Sequence, residues 1–238
     1  MKIPKIVTSV HVVLLTLFLT TSAFSRHSNA IRLSADEVRV VSGFTKVAIS
    51  GAFKVILIQG ASEGISVKAN PKVMKNIITK VEGSTLKINS EGMYYNDEEI
   101  ELTINFISLV AMDCSGSTQL SGEGQLKFDN FEFSASGSAK AELNFLAKKL
   151  DIDMSGAGHL NFQGAVNEVE LDISGSGKFM AASLTSDKYE INISGSGNAE
   201  IAVASILEVD ISGSGVVKYK GEPTISRDIS GSAKIIKL

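Results

Sequence analysis

Apolar and polar residues alternate along most of the chain, and the alternation is punctuated at regular intervals. In Glu170-Leu171-Asp172-Ile173 every second side chain is apolar, the period of a strand with one buried face. That run ends in Ser174-Gly175. The same pair closes six similar runs, at Ser115-Gly116, Ser136-Gly137, Ser155-Gly156, Ser194-Gly195, Ser212-Gly213 and Ser230-Gly231, with intervals of 21, 19, 19, 20, 18 and 18 residues along the chain. The residue before each serine is apolar without exception: Cys114, Ala135, Met154, Ile173, Ile193, Ile211 and Ile229. A unit this short cannot bury a core alone, so the repeat predicts coils of a parallel β-helix, 18–21 residues each, stacked ~4.8 Å apart. Glycine suits a corner that needs positive φ, and the serines are expected to ladder through their hydroxyls.

Upstream the alternation persists with looser punctuation, as in Val47, Ile49, Phe53, Val55 and Leu57. The expected organisation is therefore one all-β domain over 31–238, with N-terminal coils and a cap at 38–112 and seven Ser-Gly coils at 113–238. Asn70-Pro71 reads as an N-cap with proline at the first helical position, and Val73, Met74, Ile77, Ile78 and Val81 follow at helical spacing. This predicts a short helix capping the first coil. The other end, Lys234-Ile235-Ile236-Lys237-Leu238, offers no cap, so its edge is either blunted by lysines or paired with another copy.

Val41-Ser42-Gly43-Phe44-Thr45-Lys46-Val47, Val55-Ile56-Leu57-Ile58-Gln59-Gly60, Leu86-Lys87-Ile88 and the train of corners resemble the bacterial family called Putative auto-transporter adhesin, head GIN domain. The likeness runs over roughly residues 38–235. It implies a right-handed parallel β-helix of the pectin-lyase kind without the catalytic residues, and a role in adhesion. The chain carries no membrane β-barrel segment, so the resemblance is not to a complete auto-transporter.

Composition narrows the picture. Hydrophobic residues make up 44% but aromatics only 6%, with no Trp, so the core must be built mainly from Val, Ile, Leu and Ala. Lys2 and Lys5 precede an uncharged apolar run, Ile6 to Phe24, and small residues follow. This is the layout of a signal peptide over 1–30, cleaved after Ala23 or Ala30, with an uncleaved membrane anchor as the alternative. Its removal leaves 20 basic and 26 acidic side chains, a net charge of 20 − 26 = −6, which argues against nucleic acid as a partner. Cys114 is the only cysteine, so no internal disulfide can form, and the expected location is the periplasm, the outer-membrane surface or beyond.

The chemistry-bearing residues are few. His159 is the only histidine after residue 30, and Ser-His nucleophilic catalysis is less economical than a structural role for the corner serines. Cys114 falls in an inward column, where a thiol acts as a small core residue. The glycine pairs are followed by strands, which rules out a nucleotide loop. Two columns are acidic: Asp113, Asp153, Asp172, Asp210 and Asp228, interrupted by Ser134 and Asn192, and beside them Glu132, Asp151, Glu170, Glu190 and Glu208. They predict a solvated face partly neutralised by Lys140, Lys178 and Lys234, calcium between coils being the alternative. Tyr94 and Tyr95, in the irregular stretch 91–99, are the candidate partner-binding residues. No catalytic, cofactor-binding or metal-binding set is expected. The reading is an exported, non-enzymatic β-helix that binds a cell-surface protein or polysaccharide, with self-association through the terminal coil as a further partner mode. The alternatives are a pectate-lyase-like carbohydrate-active enzyme or a structural, self-associating envelope protein.

Overall fold

The computed structural model describes residues 34–91 and 99–238; the leader segment and the Tyr94-Tyr95 pair lie outside the described residues. In chain order the strands begin with β1 (Ala35–Arg39), β2 (Lys46–Gly51), β3 (Lys54–Gln59) and β4 (Gly64–Ala69), followed by the helix α1 (Pro71–Met74). Next come β5 (Ile77–Glu82), β6 (Thr85–Ser90), β7 (Glu101–Phe106), β8 (Ala111–Gly116), β9 (Gln119–Gly122), β10 (Leu126–Lys127) and β11 (Asn130–Gly137). The regular part holds β12 (Lys140–Gly156), β13 (His159–Gly175), β14 (Lys178–Gly195), β15 (Asn198–Gly213), β16 (Val216–Lys220), β17 (Thr224–Gly231) and β18 (Lys234–Lys237).

The strands wind into a β-solenoid of about seven turns. Each coil stacks in parallel on the next with its corner in register, so Gly137, Gly156, Gly175, Gly195, Gly213 and Gly231 form one column. The inward columns bury the alternating apolar residues, among them Ile152, Leu171, Ile191 and Val209. Although aromatics are scarce, the phenylalanines are concentrated inside: Phe131, Phe133, Phe145, Phe162 and Phe179 form a chain of tilted and edge-to-face contacts, with Phe162 and Phe179 centroids 5.8 Å apart. Four positions in the apolar columns break the rule: Val110 is 41% exposed, and on the last coil Ile225 and Ile229 are 37% and 36% exposed with Arg227 between them in the place that Val209 fills one coil earlier.

The N-terminal part departs from simple winding. The coil formed by β2 and β3 lies inside the stack, with β6 and β7 on one side and β8 and β9 on the other. Its Ser50-Gly51 therefore joins the corner column, paired with Ser115-Gly116 at a sequence distance that no 20-residue period predicts. The helix begins as expected, Asn70 Oδ1 accepting from the Lys72 N–H at 2.9 Å with Pro71 at the first position, but it spans only Pro71–Met74. From Ile77 the chain is strand: the β-branched Ile77, Ile78, Thr79 and Val81 pair antiparallel with β6 across a turn at Gly83. Ladder pairing and β propensity override the helical spacing there. The cap is accordingly strand-based, with α1 contributing the buried Val73 and Met74, and Arg39 binding across it to the carbonyls of Ile77 at 2.6 Å and Met74 at 3.2 Å.

Candidate functional site

A groove of about 490 Å³ runs along the corner edge of the solenoid across five stacked coils. Its walls are the column Asp153, Asp172, Asn192, Asp210 and Asp228 and the column Ser155, Ser174, Ser194, Ser212 and Ser230. Strand alternation explains this: Asp and Ser, two residues apart, both point outward, while Met154, Ile173, Ile193 and Ile211 between them point into the core. A second depression of about 300 Å³, lined by Ser50, Asn89, Asp113 and Ser115 among others, carries the same two columns toward the N-terminal end.

The corner itself is held by backbone. Each coil's first corner glycine has positive φ, +119° at Gly175, and a Cβ there would stand 2.8 Å from the Gly156 carbonyl oxygen of the coil below. That carbonyl accepts from the Ser176 N–H at 2.9 Å, and the pattern recurs from Ser117 to Ser232. The expected hydroxyl ladder is absent among the described residues: of the corner serines only Ser115 makes a side-chain hydrogen bond, to the Ile49 carbonyl at 3.2 Å. Peptide groups already satisfy the corner, which leaves the serine hydroxyls facing the groove.

The two acidic columns differ. In the outer one, Lys149 bridges Asp151 at 2.7 Å and Glu170 at 3.2 Å, and Lys188 lies 3.4 Å from Glu208 and 3.6 Å from Glu190. Hydrogen bonds to Asp151 and then Glu170 push the Lys149 ammonium up to about 12. Neutralisation thus comes from within the strand face, because side chains two apart share a side of the sheet, and among the described residues Lys140, Lys178 and Lys234 form no ion pairs there. In the groove column Asp113, Asp153, Asp172, Asp210 and Asp228 have no ion-pair partner among the described residues. Two carboxylates ~4.8 Å apart repel by about 1 kcal/mol in water, and Asn192 divides the run into shorter stretches. Among the described residues no group of three or more His, Cys, Asp or Glu side chains is placed to hold a metal ion.

The other singled-out residues lie elsewhere. Cys114 is buried beneath the corner, and burial, with Asp113 second, pushes its thiol up to about 12. His159 is exposed on the strand after the corner, in register between Lys140 and Lys178, and among the described residues its imidazole hydrogen-bonds no serine. Concavity is not a sequence property, so the groove is visible only in the structure, although both of its columns are legible in the sequence.

Comparison with solved structures bears out the solenoid. A putative adhesin from Bacteroides fragilis is 20% identical with a TM-score of 0.80, covering 87% of this chain and 98% of that one. A putative adhesin from Parabacteroides distasonis is 19% identical with a TM-score of 0.70, covering 87% and 97%. A structure from the same species named putative lipid binding protein is 25% identical with a TM-score of 0.69, covering 86% and 96%. Among curated proteins none matches the chain. The family model Putative auto-transporter adhesin, head GIN domain, matches residues 43–223, and the chain belongs to that family.

Proposed function

We propose that the protein is an exported, non-enzymatic binding module of the cell envelope, and that the corner groove is its binding surface. One observation carries the reading: at successive coils the groove presents carboxylates with no ion-pair partner, and serine hydroxyls with no hydrogen-bond partner, among the described residues. Such a track suits an extended partner with cationic and hydrogen-bonding groups along its length, at the cell surface a basic protein segment or an amino-bearing polysaccharide. Family membership supports adhesion, and the basic, apolar leader supports export. A pectate-lyase-like reading needs a basic residue beside the carboxylates, and the described residues lining the larger groove include neither lysine nor arginine. The lipid-binding name of one neighbour draws no support from an interior filled by phenylalanine and isoleucine columns.

The test is adhesion of beads coated with the protein to envelope fragments, beside a variant carrying Asp153→Asn, Asp172→Asn, Asp210→Asn and Asp228→Asn. The substitutions keep size and remove charge, so the fold should persist. Loss of adhesion, with oligolysine competing for the unsubstituted protein, is the expected result. Equal adhesion by both proteins would remove the groove from the function.

A further inference from the structure

The two ends of the solenoid differ from its walls. Among the described residues ten large apolar side chains are exposed, and six lie at the ends: Val38 and Val40 on or beside β1, and Ile225, Ile229, Ile236 and Leu238 on the last coil. The ends also hold free strand edges, since among the described residues β1 pairs only with β4 and β18 only with β16. Exposed apolar groups beside unpaired backbone mark a surface that gains from being covered.

Strand direction and register show what fits. β1 is antiparallel to β4, and β4 is antiparallel to β7, so two reversals leave β1 pointing the same way as the coil strands. The β18 edge of another copy can therefore meet β1 in the parallel sense that joins successive coils. One outward column starts at Asp36 and passes through Lys68, Glu101, Lys54, Gln119, and on to Lys234. The adjacent outward column starts at Val38 and ends at Ile236. Stacking copies head to tail without a shift in register puts Lys234 over Asp36 and Ile236 over Val38, an opposite-charge pair beside an apolar pair.

We infer that the protein self-associates head to tail, the last coil of one copy docking on β1 of the next, with Lys234–Asp36 and Ile236–Val38 as the matched contacts. The interface is heterologous, so it does not close on itself and produces linear arrays. In the same register the inward Ile235 and Lys237 stand over Glu37 and Arg39, and each cation there already has its own carboxylate, Arg39 pairing with Glu37 at 2.9 Å and Lys237 with Glu222. Such arrays would set the acidic grooves of successive copies end to end.

Sedimentation of the purified protein over a concentration series, at low and high salt, tests this. The unsubstituted protein should form a concentration-dependent ladder of multimers that shortens as salt rises. Asp36→Lys and Lys234→Glu should each abolish the ladder with unchanged melting, and an equimolar mixture of the two variants should restore it, because each then offers the charge the other lacks. Hydrogen exchange on the unsubstituted protein, independent of any variant, should show new protection at high concentration over 35–39 and 234–238. A monomer at every concentration, assembly that survives both substitutions, or protection confined to the walls would overturn the inference.

Discussion

The two glycines of a Ser-Gly-Ser-Gly corner do different work. Gly175 has φ +119° and faces the carbonyl of the coil below at 2.8 Å from where a Cβ would stand, so Gly175→Ala combines backbone strain with a contact that cannot relax. Its expected cost is at least about 1–3 kcal/mol. Gly177 has no positive φ, and a Cβ there would stand 3.0 Å from the end of the flexible Met154 side chain, so Gly177→Ala should change stability by less than about 1 kcal/mol. Urea melts of the two variants check the contrast; equal destabilisation would refute it. Cys114 makes a second residue-scale prediction. Its thiol is raised from 9 to about 12 in the fold, so the protein holds that proton more tightly than the unfolded chain does. The associated stability is present below pH 9 and is lost as pH rises through about 12. In native buffer near neutrality the thiol should resist a disulfide reagent and react only after denaturant is added; labelling of the folded protein at the rate of a free thiol would contradict its burial.

Among the elements, the irregular N-terminal coils depend on substitutes for ladder bonds. The Gln59 amide closes one such gap: its Nε2 donates to the Lys127 carbonyl at 2.9 Å and its Oε1 accepts from the Lys127 N–H at 2.7 Å. The side chain thus acts as the peptide group that a neighbouring strand would have supplied to β10. Gln59→Leu should cost about 1 kcal/mol, the worth of a partly exposed hydrogen-bonded group, and should speed hydrogen exchange at Lys127. Unchanged exchange there would separate the amide from the ladder. The acidic wall behaves as an element too, because Lys149 and Lys188 each reach carboxylates on two coils. These pairs are exposed, so their loss should be small and sensitive to salt.

For the molecule as a whole, stability is distributed along the axis, since each coil touches only its neighbours. Phe162, fully buried and in edge contact with Phe133, Phe145 and Phe179, sits where three coils meet. Phe162→Ala should cost about 3–5 kcal/mol. The last coil, with Ile225 37% and Ile229 36% exposed, should exchange its amides fastest among the coils in dilute solution, and slower exchange there than at β13 would contradict the open end.

The Ser-Gly corners and the alternation before them determined the coil, its length, its parallel stacking and most of its buried residues, because a period of two within a period near twenty has few other solutions in space. Cys114 as a core residue and the paired outward acids were legible for the same reason. Three features depended on tertiary structure. Ile77 to Glu82 became strand because a neighbouring edge needed a partner, which outweighed its helical spacing. The coil of β2 and β3 entered the middle of the stack, since pairing energy depends on which edges meet and carries no record of chain order. The corner became a groove because stacking in register lines up the outward Asp and Ser of five coils, while backbone amides satisfy the corner carbonyls in place of the serine hydroxyls. A local pattern specifies which face of a strand is buried; only the assembled stack decides which edges meet and what the exposed faces enclose.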